Sequence, residues 1–125
     1  VEKVESHQDA ATAPVRLYYT GWSSSTGEAD WGLRPLFAGD KTPPSMYNIS
    51  YYKNPTVDAD IMKALGTTDR AEKTKLYTEV QEEIWKDAPW AFLVTEKLLY
   101  ATSKKLTGMY VMPDANYFFE EIDLQ

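Results

Sequence analysis

The run NPTVDADIMKALG-TTDRAEKTKLYTEVQEEIWKDAP-WAFLVT, Asn54 to Thr95, decides the fold class. Asn54 offers a side-chain acceptor just ahead of Pro55, whose fixed φ suits the first helical position, and Gly66 stops the segment. Val57, Ile61, Ala64 and Leu65 recur at helical spacing and are read as one apolar face. Asp69 followed by Glu72 is a capping-box pattern. It predicts a second helix with Leu76, Tyr77, Val80 and Ile84 as its apolar stripe, ended by Pro89. Trp90–Thr95 then abandons the helical period for a short apolar, β-rich run, and predicts a buried strand. Helix, helix and strand in one stretch predict an α/β or α+β sandwich.

Upstream, Val15–Thr20 is β-branched and aromatic between Pro14 and Gly21, and is read as another strand. Gly21 to Trp31 is a loop rich in small hydroxyl residues, whose backbone is left open to hydrogen-bond something else. Residues 31–37 are read as a short helical turn limited by Pro35, and Gly39–Ser50, with Pro43-Pro44, as irregular. Downstream, Glu96-Lys97 interrupts the apolar run before Leu98–Thr102, a neighbouring strand. Gly108–Met112 is a further short strand closed by Pro113, and Tyr117–Leu124 is amphipathic, a strand or a docking arm. Val1–Pro14 has no period of 2 or 3.6 and reads as a flexible lead-in.

Composition narrows function. The 125 residues suit one domain that needs no staple. No apolar run reaches the roughly 18 residues of a membrane span, and no signal-peptide pattern opens the chain. Cysteine is absent, which excludes disulfides, thiolate nucleophiles and Cys-based zinc sites. His7 is the single histidine and lies in the lead-in, which argues against Ser-His-Asp, Cys-His and two-His metal chemistry. With 13 Lys+Arg against 19 Asp+Glu, the net charge of −6 offers no basic face for phosphate backbones or anionic lipid. Lys104-Lys105 is read as a solvated turn.

Aromatic residues make up 14% of the chain, with 9 Tyr and 4 Trp. Most are read as core, but Tyr and Trp also line wet clefts. Glu28 and Asp30 between Trp22 and Trp31 superficially suit a carbohydrate-acting enzyme. Such an enzyme needs its carboxyls on opposite sides of a sugar, about 5–10 Å apart. Residues one position apart in a loop rarely manage that, and Asp30 is read as a helix or turn cap. Asp58 and Asp60 in a first helical turn are explained by the helix dipole, so no metal site is expected.

Three stretches resemble the peptide/nickel-type periplasmic solute-binding proteins that feed ABC importers. They are Gly21-Trp22 through Gly27-Glu28-Ala29-Asp30-Trp31 to Leu36-Phe37, Thr67 to Trp90, and Leu106-Thr107-Gly108 with Glu120–Leu124. Together they cover residues 15–125 in order, and the wording is similar to that of the glutathione-binding members. The resemblance implies a partial C-terminal lobe of a two-lobed clamp, a mixed sheet flanked by helices. It divides the chain into the lead-in 1–14, a ligand-binding lobe 15–112 and a closing segment 113–125. It implies a monomeric, cofactor-free periplasmic protein that binds a small, glutathione-like peptide, serves ABC transporter membrane subunits and is no enzyme. Nucleic acid and membrane insertion play no part in it.

Carried over by position, the resemblance places Trp22, Ser23 and Ser24 beside the bound peptide, with their backbone groups facing it. Asp30 and Trp31 belong to the same candidate ligand site. Dipeptide-binding members have an Asp for the ligand's α-amine where this chain has Ser25. That exchange points to a ligand without an ordinary N-terminal ammonium there, as in a γ-glutamyl peptide. The family's Pro is Ala29 here, and another expected Pro is Phe92, which implies altered packing near the cleft or hinge. A dipeptide- or oligopeptide-binding role in the same family, and an enzyme using Glu28/Asp30, are the alternatives. A nickel- or haem-binding member of the family is a further alternative, though lack of histidine outside the lead-in argues against direct metal ligation in this part of the chain.

Overall fold

The computed structural model describes residues 9–112 and 114–125. His7, most of the lead-in and Pro113 therefore lie outside the described residues. Helix α1 spans Ala29–Phe37, α2 Pro55–Gly66 and α3 Arg70–Asp87.

The ends of α2 and α3 follow from local chemistry. Asn54 Oδ1 accepts from the amides of Thr56 (2.9 Å) and Val57 (3.4 Å), satisfying donors the helix leaves open. Asp69 Oδ1 accepts from the Glu72 amide at 2.9 Å. The return arm of the capping box runs through a third residue: the Asp69 amide donates to Thr67 Oγ1 (3.2 Å), whose hydroxyl donates to Glu72 Oε2 (3.3 Å). At the far end of α3, Ala88 adopts the left-handed conformation (φ 48°, ψ 51°) and donates its N–H to the Ile84 carbonyl, ahead of Pro89.

Helices α2 and α3 pack their apolar faces together and α1 closes over them. Leu36, Phe37 and Ala38 join Val57, Ile61, Val80 and Ile84 in the main core, flanked by Leu33, Tyr52 and Trp90. Ala64, Leu76 and Tyr77 form a second cluster. Leu65 departs from its expected place on the core face and is exposed. One position beyond Ala64 it is turned about 100° further round the helix, out of the arc that faces α3.

Helix α1 begins two residues before the expected turn and runs through Pro35 rather than stopping at it. Between α1 and α2 the irregular stretch is organised by Asn48, which is fully buried. Its amide donates to the carbonyls of Ala38 (3.0 Å) and Tyr52 (2.8 Å), while its Oδ1 accepts from Ser50 Oγ and the Tyr52 amide. A buried polar side chain with every group matched ties a loop down without an apolar core of its own.

The C-terminal segment is one hairpin nested in another. Strand β1 (Leu106–Thr107) pairs antiparallel with β4 (Asp123–Leu124), and β2 (Tyr110–Val111) with β3 (Tyr117–Phe118). The expected strand at 108–112 forms over Tyr110–Val111, and the tail supplies β3 and β4. Gly108 has φ +77°, and a Cβ there would collide with the Glu121 carbonyl. The chain is therefore an α+β assembly of helices and small antiparallel sheets.

The strands expected at Val15–Thr20, Trp90–Thr95 and Leu98–Thr102 do not form. Neither region has a ladder partner among the described residues. Leu17 and Leu99 are each 91% exposed. Strand propensity measures how well a side chain fits a paired, half-covered surface, so without a neighbour it produces no strand.

Candidate binding site

The loop before α1 is built from its own hydroxyls. Ser24 Oγ donates to the Glu28 carbonyl at 2.8 Å and lies 3.3 Å from Thr26 Oγ1, which accepts from the Glu28 amide. Gly27, at φ +69°, donates its N–H to the Ser24 carbonyl and closes the turn. Ser24 is thus half-buried and engaged within the loop, whereas Ser23 and Ser25 stand exposed. Glu28 occupies the N-cap position of α1 without a side-chain capping bond.

Asp30 is held by protein groups. Arg34, one turn along α1, donates Nε (2.9 Å) and Nη2 (2.7 Å) to its carboxylate, and Tyr77 of α3 adds a hydroxyl at 3.4 Å. The hydrogen bond to Asp30 raises the Arg34 pKa against opposing desolvation. Burial, with Asp30 close by, pushes the Tyr77 phenol up to about 12. Asp30 therefore joins α1 to α3 instead of capping the helix.

Trp22 and Trp31 come together, with ring centroids 6.1 Å apart. The Trp22 indole Nε1 donates to the Trp31 carbonyl at 2.9 Å. Tyr47, from the irregular stretch, has its ring centroid 5.2 Å from that of Trp22. Trp22 and Tyr47 border a recess of about 40 Å³, lined also by Tyr18, Thr20, Leu36, Ile49 and Trp90. It has room for the end of one small side chain. No backbone hydrogen bond joins residues 17–23 to another segment among the described residues, and Tyr18, Thr20 and Trp22 of this run line the recess.

No protein-family model matches the chain. Curated bacterial proteins do. The glutathione-binding protein GsiB of Pectobacterium atrosepticum is 62% identical over 110 residues, 88% of this chain and 21% of that protein. Those of Escherichia coli and Salmonella typhimurium are each 54% identical over 111 residues, 89% of this chain and 22% of theirs. The chain is homologous to this group of binding proteins. It spans about a fifth of the length of the curated relatives it matches. Identity at this level confirms the resemblance read from the motifs.

Tyr18 and Thr20 are read from the sequence as strand residues, and Tyr47 and Ile49 as part of an irregular stretch, so none of the four is read as lining a recess. One signal was present. Proline at position 35 has no N–H for the carbonyl of Trp31, so that carbonyl had to find a donor elsewhere. Among the described residues no cluster of His, Asp or Glu is arranged to hold a metal ion.

Proposed function

We propose that this chain is the ligand-facing part of one lobe of a periplasmic solute-binding protein. In this reading the protein captures a small peptide, glutathione or a related γ-glutamyl peptide, in a cleft completed by a second lobe. It hands the closed form, as a monomer, to the membrane subunits of an ABC importer. The observation that carries the proposal is the Trp22–Tyr47 recess beside an exposed serine loop and a run, 17–23, without backbone hydrogen bonds to another segment among the described residues, in a chain homologous to proteins named for binding glutathione.

The open backbone at 17–23 suits a peptide, whose main chain needs donors and acceptors along its length. Trp22 and Tyr47 supply apolar faces with polar tips. Ser25 offers a neutral hydroxyl where dipeptide-binding members place a carboxylate. A neutral bond of about 1 kcal/mol in place of a charge-assisted one of about 1.5–3 kcal/mol weakens an α-ammonium by roughly two- to thirtyfold. The carboxylate most suggestive of catalysis, Asp30, is occupied by Arg34 and Tyr77, which favours binding over chemistry.

Lobe closure is driven only by contacts the ligand makes with both lobes. A tripeptide of about 20 heavy atoms at about 0.3 kcal/mol each gains about 6 kcal/mol when enclosed, and half of that leaves millimolar binding or weaker. Calorimetric titration tests this. A full-length chain carrying this segment, its own or the Pectobacterium relative's by segment exchange, is expected to bind glutathione and to discriminate against dipeptides. The 125-residue chain alone is expected to show no detectable heat. Dipeptides bound as tightly as glutathione, or micromolar binding by the isolated chain, contradict the reading.

A further inference from the structure

In an α-helix each carbonyl accepts from the amide four residues on. The carbonyl of Trp31, inside α1, and that of Pro35, among those its C-terminal end leaves open, both lack that donor, for different reasons. Trp31 has Pro35 as its would-be donor, and proline has no N–H. Pro35 has Gly39, but Ala38 turns to an extended conformation (φ −68°, ψ 137°) and the Gly39 amide donates to Asp58 Oδ1 at 2.7 Å. A Cβ at position 39 would lie 2.8 Å from Asp58 Oδ2, so glycine is what lets this carboxylate approach.

Each released carbonyl then holds one wall of the recess. The Trp31 carbonyl takes the Trp22 indole at 2.9 Å, and the Pro35 carbonyl takes the Tyr47 amide at 3.2 Å. Carbonyls four residues apart lie on the same side of a helix, about 6 Å from each other along its axis. The two rings they anchor stand 5.2 Å apart. The geometry points to Pro35 and Asp58 as positioning residues, each withdrawing one donor from α1 so that a freed carbonyl fixes an aromatic wall of the ligand recess. The structural half of this inference stands alone, and its effect on binding rests on the function proposed above.

The test uses a full-length chain carrying this segment, labelled with ¹⁵N on tryptophan and tyrosine, with glutathione as the probe. Pro35→Ala returns an N–H to the Trp31 carbonyl. The Trp22 indole resonance is expected to shift and its proton to exchange faster, while stability holds or rises, since alanine suits a helix better than proline. Glutathione affinity is expected to fall about three- to tenfold, the loss of one ordinary hydrogen bond. Asp58→Ala is expected to move the Tyr47 amide instead, and Asp58→Asn, which keeps an acceptor, to restore it. An unchanged Trp22 indole in Pro35→Ala overturns the inference, as does an indole that moves with no loss of affinity when Trp22→Ala does weaken binding. Trp22→Ala without effect on affinity refutes the ligand role of the recess, and the two resonances still decide the roles of Pro35 and Asp58.

Discussion

The runs at 15–23 and 91–102 are more apolar in sequence than the helical module from Ala29 to Asp87, yet only the module is packed. In the module each apolar stripe finds another within the same stretch of chain. In the two runs Leu17, Tyr19, Leu93, Val94 and Leu99 face outward. Stacked rings, Trp85 on Phe92 at 5.6 Å, mark where the second of these runs leaves α3 without gaining cover. Local order can be completed by neighbours in sequence, whereas a strand is completed only by a partner that this chain does not provide among its described residues.

The largest effect that sharpens this contrast comes from truncating one leucine-sized side chain on each side of it. Ile61→Ala is expected to destabilise the chain by about 2–5 kcal/mol through cavity formation. Leu99→Ala is expected to stay within about 0.5 kcal/mol in denaturant titrations. A cost at Leu99 equal to that at Ile61 would break the comparison. In the nested hairpins Gly108→Ala is expected to cost about 1–3 kcal/mol, because the residue combines positive φ with a backbone carbonyl at close quarters. Loss of the Leu106–Leu124 pairing, followed by amide exchange, reads this out.

The helix ends come next. Asn54→Ala and Asp69→Ala are each expected to cost about 1 kcal/mol in thermal or denaturant unfolding. Their legibility has a physical reason. Caps, Pro at the first turn and 3.6-residue periodicity act over a few residues, so Asn54, Pro55, Asp69 and the Leu76–Ile84 stripe could be read directly. Asn48 could not, because its partners at Ala38, Lys41, Ser50 and Tyr52 follow from how an irregular, proline-rich stretch happens to close. The same applies to Tyr47 in the recess. Asp58 was read as a dipole partner of α2, which hides its longer reach to Gly39. Of the candidate ligand residues, the meeting of Trp22 with Trp31 was foreshadowed by Pro35, while the tie from Asp30 to Tyr77 depends on how α1 crosses α3.

A smaller effect concerns alkaline pH. Burial raises the phenols of Tyr52 and Tyr77 from 10.0 to about 12, with Asp87 and Asp30 adding to it respectively. Between these values the folded chain holds protons that the unfolded chain has released, so stability is fully present below pH 10 and falls as pH rises towards 12. Tyr77→Phe is expected to flatten that fall in a denaturation series across this range. An unaltered slope would show that α1 and α3 do not confine the phenol as described.

The most direct measurement of the central claim is a crystal structure of a full-length chain carrying this segment, grown with glutathione. The account predicts peptide main-chain groups within hydrogen-bonding distance of the backbone at Trp22–Ser24, with part of the ligand against the Trp22 and Tyr47 rings. Glutathione bound elsewhere, with Trp22 sealed inside a closed core, would contradict it.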